Sequence, residues 1–218
     1  MSYLIIKNME DIEQGVRNLA DQCPLMRDAF NTAGLPPLRR HDNSYMSLGR
    51  TITGQLLSVA SASAIWERVS LLVDPFEPQT LLSVDQTSLR KAGLSNAKVR
   101  TLRALATAII DGEVDLALFE QQSERRVREC LMKVHGIGPW TADIYVMFCL
   151  GRVDGFAPGD VALANAVALL QHAAKRPTPA QLEKIANQWQ PCRGVAARLL
   201  WHYYAVVKAR KTMPLDNK

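Results

Sequence analysis

The chain has 218 residues, 48% of them apolar and 22% charged, with a formal net charge of +5. That length and apolar share are enough for one or two compact domains with a real core, and they exclude an intrinsically disordered chain. The positive balance suits an acidic partner such as nucleic acid, and no window approaches the apolar length of a membrane span, so a soluble protein is expected.

Strict alternation of apolar and polar residues is almost absent, whereas a period of 3.6 recurs throughout, which reads as an all-α protein. A first helix is expected over residues 9–22, with Ile12, Val16, Leu19 and Ala20 on one face, and a second over residues 24–33, stopped by Gly34. Residues 35–43 (LPPLRRHDN) form a proline-rich, basic connector. Ser44 is placed to cap a helix running to about residue 57, followed by one over residues 58–73 and a break at Asp74-Pro75. Residues 79–93 read as two short helical turns, and Ser95 opens a long helix that ends at Asp111-Gly112. After a helical hairpin, a helix is expected from Asp160 to about residue 174. Thr178-Pro-Ala-Gln181 is a capping box that starts the helix to residue 188, and a last helix covers about 194–211. Cys23, Cys130, Cys149 and Cys192 are scattered, with no C-x-x-C pair, so neither a zinc site nor a disulfide framework is signalled and a reducing cytoplasm fits best. The start, MSYLIIKNMEDIEQ, is too short in its apolar run for a signal segment.

The hairpin lies in residues 123–160. Val127, Leu131 and Val134 make an apolar stripe before Gly136-Ile137-Gly138, and Trp140, Ile144, Met147 and Phe148 make another after it, with Pro139 suited to the first helical turn. Two positions reduced to hydrogen let the backbone N–H groups of residues 136–140 approach another molecule, and with the positive end of the second helix they suit a phosphate oxygen. A plain helical hairpin in a bundle carries the same short motif. Asp160, just ahead of an apolar helix, is by residue type an N-cap, a role compatible with chemistry at the same carboxylate.

Leu-x-x-x-x-Gly-Ile-Gly-x-Trp-Thr-Ala, followed after an apolar helix by x-Pro-Gly-Asp, resembles the helix-hairpin-helix (HhH-GPD) DNA glycosylase superfamily, and within it the 3-methyladenine DNA glycosylase II (AlkA-type) family. Ile52-Thr-Gly-Gln-Leu-Leu-Ser-Val-Ala60, Leu89-Arg-Lys-Ala-Gly-Leu94 with Lys98, and Trp189-Gln-Pro-Cys-Arg-Gly-Val-Ala-Ala197 through Trp201 are similar to that family's segments in the same order, over roughly residues 36–207. The resemblance implies two helical subdomains with an active cleft between them. Mapped onto this chain, residues 1–40 would be N-terminal helices packing on the body, residues 41–134 a central subdomain including the first hairpin helix, and residues 135–218 the hairpin, the acid and the C-terminal helices. The AlkA type has an additional N-terminal β-rich domain for which this chain is too short, and residues 1–7 would at most be a remnant strand.

The same resemblance makes Asp160 the catalytic acid of a monofunctional enzyme that removes alkylated purines by base flipping and leaves an abasic site. Members of the endonuclease III type have a Schiff-base lysine where this chain has Trp140, so no strand-cleaving lyase step is expected. Trp140 and Trp201 are implied walls of the base pocket, although a tryptophan on an apolar helix face is, by residue type alone, more often a core side chain. Val161 and Ile144 stand where the AlkA type has tyrosines, and Cys192 replaces a tryptophan, which points to a wider, less aromatic pocket. Gln55-Leu56 is similar to the turn that fills the gap left by the flipped nucleotide; by residue type Leu56 is also a core side chain of the helix over residues 44–57. DNA contacts are implied for Gly136, Ile137, Gly138, Thr141 and Lys133, with a sodium or potassium ion on the main-chain carbonyls of Met132, Val134 and Gly136. No iron–sulfur cluster is implied, because nothing after Cys192 completes a four-cysteine loop. The expected partner is double-stranded DNA containing damaged bases, bound by a monomer in the cytoplasm. A glycosylase for deaminated or oxidised bases, or a DNA-binding protein without catalysis, are the alternatives.

Overall fold

A computed structural model describes the backbone of residues 4–212 and the side chains of residues 4–209. Asn8 opens α1 (Met9–Gln22) with a reciprocal capping box to Asp11, and Pro24 at the first position opens α2 (Pro24–Ala33), which Gly34 ends in the left-handed region. Ser44 caps α3 (Tyr45–Gly54) and Ser58 caps α4 (Val59–Leu72). Two short helices, α5 (Pro78–Ser83) and α6 (Gln86–Lys91), lead to α7 (Asn96–Ile110), again capped by a serine, Ser95. After α8 (Leu116–Phe119) come the hairpin helices α9 (Glu124–Leu131) and α10 (Pro139–Phe148). The chain finishes with α11 (Val161–Leu170), α12 (Pro179–Ala186) with its Thr178/Gln181 capping box, a 3-10 turn (Asn187–Trp189) and α13 (Arg193–Thr212). The all-α expectation holds; among the described residues the one β-type pairing is an isolated bridge between Ile5 and Arg152. Among the described residues no helix is long and apolar enough to cross a membrane.

Two helices end earlier than their periodicity suggests. α3 stops at Gly54 because the Lys98 ammonium reaches back from α7 and donates to the carbonyls of Thr53 (2.8 Å) and Gln55 (2.9 Å), taking up acceptors that a further helical turn would use. α11 stops at Leu170 because His172 enters left-handed space (φ +51°). There its N–H reaches the Leu169 carbonyl and that of Ala173 the Ala168 carbonyl, the crossed pair of a Schellman ending made without glycine.

Packing divides the described chain into two compact units, one made of residues 41–150 and the other of residues 4–40 together with 151–212. The boundary thus falls after the hairpin and not inside it. α10 belongs with α3 and α9, since its Tyr145 and Val146 enter the same core as Leu48 and Ile52 of α3, Leu102 and Leu105 of α7, and Val127 and Leu131 of α9. In that core the Tyr45 hydroxyl donates to the Leu102 carbonyl (3.0 Å), and burial pushes its pKa far above the ordinary tyrosine value.

In the second unit α1 and α2 pack on α13. The extended start of the chain lies along residues 151–153: the Ile6 N–H donates to the Gly151 carbonyl (2.7 Å) and the Val153 N–H to the Leu4 carbonyl (3.1 Å). Arg198 of α13 is buried and donates to the Gly194 carbonyl (2.8 Å), and burial, with Arg40 and Arg39 nearby, lowers its pKa to about 10.

Candidate active site

The hairpin turn is built from residues 132–138. The Val134 N–H bonds to the Leu131 carbonyl and the Ile137 N–H to the Val134 carbonyl, both at 3.1 Å, which folds the chain back and sends Ile137 into the core. Gly136 sits at φ +84°, and a Cβ there would stand 1.9 Å from the Thr101 hydroxyl, so both backbone conformation and packing demand glycine. Gly138 has an ordinary extended φ of −99° and its missing Cβ would meet nothing within 4 Å; the space it leaves opens outward. Gly138 also gives α10 no side-chain cap, so the positive end of this helix begins beside that open space, with Lys133 exposed nearby in sequence. Thr141 is placed differently from a phosphate ligand: it is buried, and its hydroxyl accepts the Gln55 amide N–H at 2.7 Å, so what it can offer an anion is its backbone.

That amide bond and the two Lys98 bonds fix the turn after α3 from both sides. Leu56, at its tip, is in left-handed backbone (φ +57°) and 105% exposed. A core role for Leu56 is therefore excluded, and an apolar side chain in a strained conformation is held out in solvent by three buttressing hydrogen bonds. Partial burial lowers the pKa of Lys98 from the ordinary lysine value. The roles of Lys98 and Gln55 in this support leave no local mark in sequence, because each partner lies more than forty residues away.

Asp160 caps α11. Its Oδ1 accepts the Leu163 N–H at 2.9 Å and the indole N–H of Trp201 at 3.0 Å. Both of these donors are neutral groups. Asp143 is buried and takes the Arg128 guanidinium at 2.5 Å. Asp154 holds Arg193 with both oxygens (3.0 and 2.7 Å) and also accepts the Arg193 N–H at the start of α13. Asp143 and Asp154 are thus each committed to an arginine, which leaves less of their field for a new cation.

Trp140 and Ile144, four residues apart, share one face of α10 and are both half-buried; Trp201 is half-buried beside Asp160, and Val161, which follows the acid, is 53% exposed. The carbonyls of Met132, Val134 and Gly136 lie in the hairpin turn, and Val134 already accepts the Ile137 N–H with one lone pair. Three neutral oxygens without an acid fit a monovalent ion better than a divalent one. Among the described residues no cluster of three or more His, Cys, Asp or Glu is placed to hold a metal.

Residues 50–192 match the family model described as "HhH-GPD superfamily base excision DNA repair protein". The alkylbase DNA glycosidase-like protein mag2 of Schizosaccharomyces pombe is 28% identical over 162 residues, covering 72% of this chain and 76% of that protein. Among solved structures, the 3-methyladenine DNA glycosylase Mag1 of Schizosaccharomyces pombe in complex with abasic DNA superposes with a TM-score of 0.81 at 26% identity, over 86% of this chain and 95% of that one. A DNA-3-methyladenine glycosidase from Bacillus halodurans gives a TM-score of 0.76 at 29% identity, over 96% and 95%. The family match covers well over half of the chain and includes the hairpin, the turn at Leu56 and Asp160, and so the chain belongs to the HhH-GPD superfamily of base excision DNA repair proteins.

Proposed function

We propose that this protein is a monofunctional DNA glycosylase that hydrolyses the N-glycosidic bond of alkylated purines of the 3-methyladenine kind, leaving an abasic site in double-stranded DNA. The observation that carries the mechanism is the Asp160 carboxylate fixed by the Trp201 indole and the first turn of α11. As the C1′–N bond breaks, its electron pair leaves with the base. A methylated purine already carries positive charge and departs neutral without a proton from the enzyme, which agrees with one carboxylate and no paired acid. The positive charge moves to the sugar, where an ionised Asp160 stabilises it; water then adds at C1′ and loses its proton to the carboxylate or to solvent.

Trp140 with Ile144, and Trp201 with Val161, are the side chains assigned to the extruded base, the indoles stacking on it with an attraction of about 1–2 kcal/mol for a desolvated cationic ring. Leu56, exposed and buttressed by Gln55 and Lys98, is the wedge for the vacated stack. Gly136, Ile137, Gly138 and Thr141 would meet a phosphate through their backbone, with Lys133 adding charge. A sodium or potassium ion on the carbonyls of Met132, Val134 and Gly136 would stiffen the same turn. Because residue 140 is tryptophan, no amine stands there to attack C1′, so water is the nucleophile and the strand stays intact.

The test is to incubate the purified protein with methylated duplex DNA and to follow base release and strand cleavage separately. Release of methylated adenine with strand breaks appearing only after alkali is the expected result. Strand cleavage without alkali would remove the monofunctional assignment, and release of deaminated or oxidised bases in preference to alkylated ones would move the substrate class.

A further inference from the structure

α11 and α13 run side by side in the same direction from the catalytic acid. The Trp201–Asp160 bond starts their seam, and a bond from the Asn165 side-chain amide to the Tyr204 hydroxyl (3.3 Å) continues it. Beyond that pair the seam opens into a cleft of about 430 Å³ that Leu169 and Val207 line together with Arg176 and Lys208. Arg176 is shared with a neighbouring cleft of about 570 Å³, which Lys175, Lys184 and the side of Thr178 and Gln181 also line. No acid lines either cleft. Lys175, Arg176 and Lys184 are exposed, and none forms an ion pair with another described residue, whereas Arg193 of the same unit is held by Asp154 and Arg198 is buried on backbone carbonyls.

We propose that these two clefts are a second seat for the DNA backbone, separate from the hairpin, in which Lys175, Arg176 and Lys184 hold phosphates of the duplex flanking the lesion; this rests on the reading of DNA as the partner. The dimensions agree. α11 spans ten residues, about 15 Å at 1.5 Å per residue, and one strand presents a phosphate about every 3.4 Å of duplex axis, so the first cleft, which runs from Asn165 to the end of α11, lies roughly two to four phosphates from Asp160. The Asn165 amide and the Tyr204 hydroxyl, at the mouth of the first cleft, are suited to sugar and phosphate oxygens, which is how proteins usually contact a backbone. Bare lysines and an arginine without acids among them match a polyanion of regular spacing.

The experiment measures binding of the full chain to an undamaged duplex by fluorescence anisotropy across a salt series, so it reads nothing of base release and stands apart from the fate of the glycosylase assignment. A Lys175→Ala/Arg176→Ala/Lys184→Ala variant, checked by circular dichroism to be folded like its parent, is expected to bind at least tenfold more weakly at low salt. The slope of log K against log salt should fall by about 0.9 for each phosphate that is no longer neutralised, so by two to three in all. A Lys175→Arg/Lys184→Arg variant, which keeps the charges, should bind as the parent does. Unchanged affinity and slope in the alanine variant would overturn the proposal. So would loss of binding to polyglutamate with DNA binding intact, which would assign the clefts to an acidic protein.

Discussion

At position 160 one side chain caps a helix and, in the proposed mechanism, also carries the catalytic charge, and substitution can separate the two. Asparagine caps a helix about as well as aspartate, so Asp160→Asn should keep the bonds from Leu163 and Trp201 and melt close to the parent, while base release falls by about 10²-fold or more because the charge is gone. Asp160→Ala should lose activity and about 1 kcal/mol of stability as well, read by denaturant melts. If Asp160→Asn released methylated adenine at the parental rate, the carboxylate would be a cap alone. Asp160 is visible in sequence as a residue that starts an apolar helix, and the family pattern adds its chemistry. The bond that orients it is not visible, since Trp201 lies forty-one residues further on and reads as one more apolar position of a long helix.

Among the elements, the hairpin makes the sharpest contrast between fold and binding. Gly136→Ala forces a Cβ into the Thr101 hydroxyl at a positive φ, and should destabilise the protein by several kcal/mol, given about 1–3 kcal/mol for the backbone strain alone. Gly138→Ala meets nothing in the protein and should fold normally, yet bind duplex DNA measurably more weakly, because its methyl enters the space where a phosphate would approach. Lys98→Met should cost about 1.5–3 kcal/mol by leaving the carbonyls of Thr53 and Gln55 without their charged donor. It should also weaken base release by loosening the turn that carries Leu56, which a comparison of melting with excision rate would show. Helix starts are legible because Ser44, Ser58, Ser95 and Thr178 cap locally. Helix ends are less so: the end of α3 depends on a lysine from another helix, and that of α11 on a histidine in a conformation that sequence assigns to glycine.

On the scale of the molecule, residues 4–40 are part of the second unit's interior. Ile12, Val16 and Leu19 of α1 and Met26 of α2 are buried, each contributing about 1.5–3 kcal/mol, so their sum rivals the 5–15 kcal/mol that holds a typical domain together. Deleting residues 1–40 should leave the second unit without a cooperative melt and binding a hydrophobic dye, as circular dichroism and dye fluorescence would record. Helical class follows from periodicity alone, whereas the division of the chain does not. The apolar stripe of α10 is compatible with either half, and only packing shows that it completes the core containing Leu48 and Leu102.

Because the second unit is made from both ends of the sequence, synthesis imposes an order on its assembly. The stretch 41–150 is continuous and has all of its own packing partners once it has left the ribosome, whereas α1 and α2, made first, must wait for α13. At about 5–20 residues per second that interval is on the order of ten seconds or more, during which two amphipathic helices can cover only each other and present the apolar surface that α13 will bury to whatever chaperone meets the nascent chain.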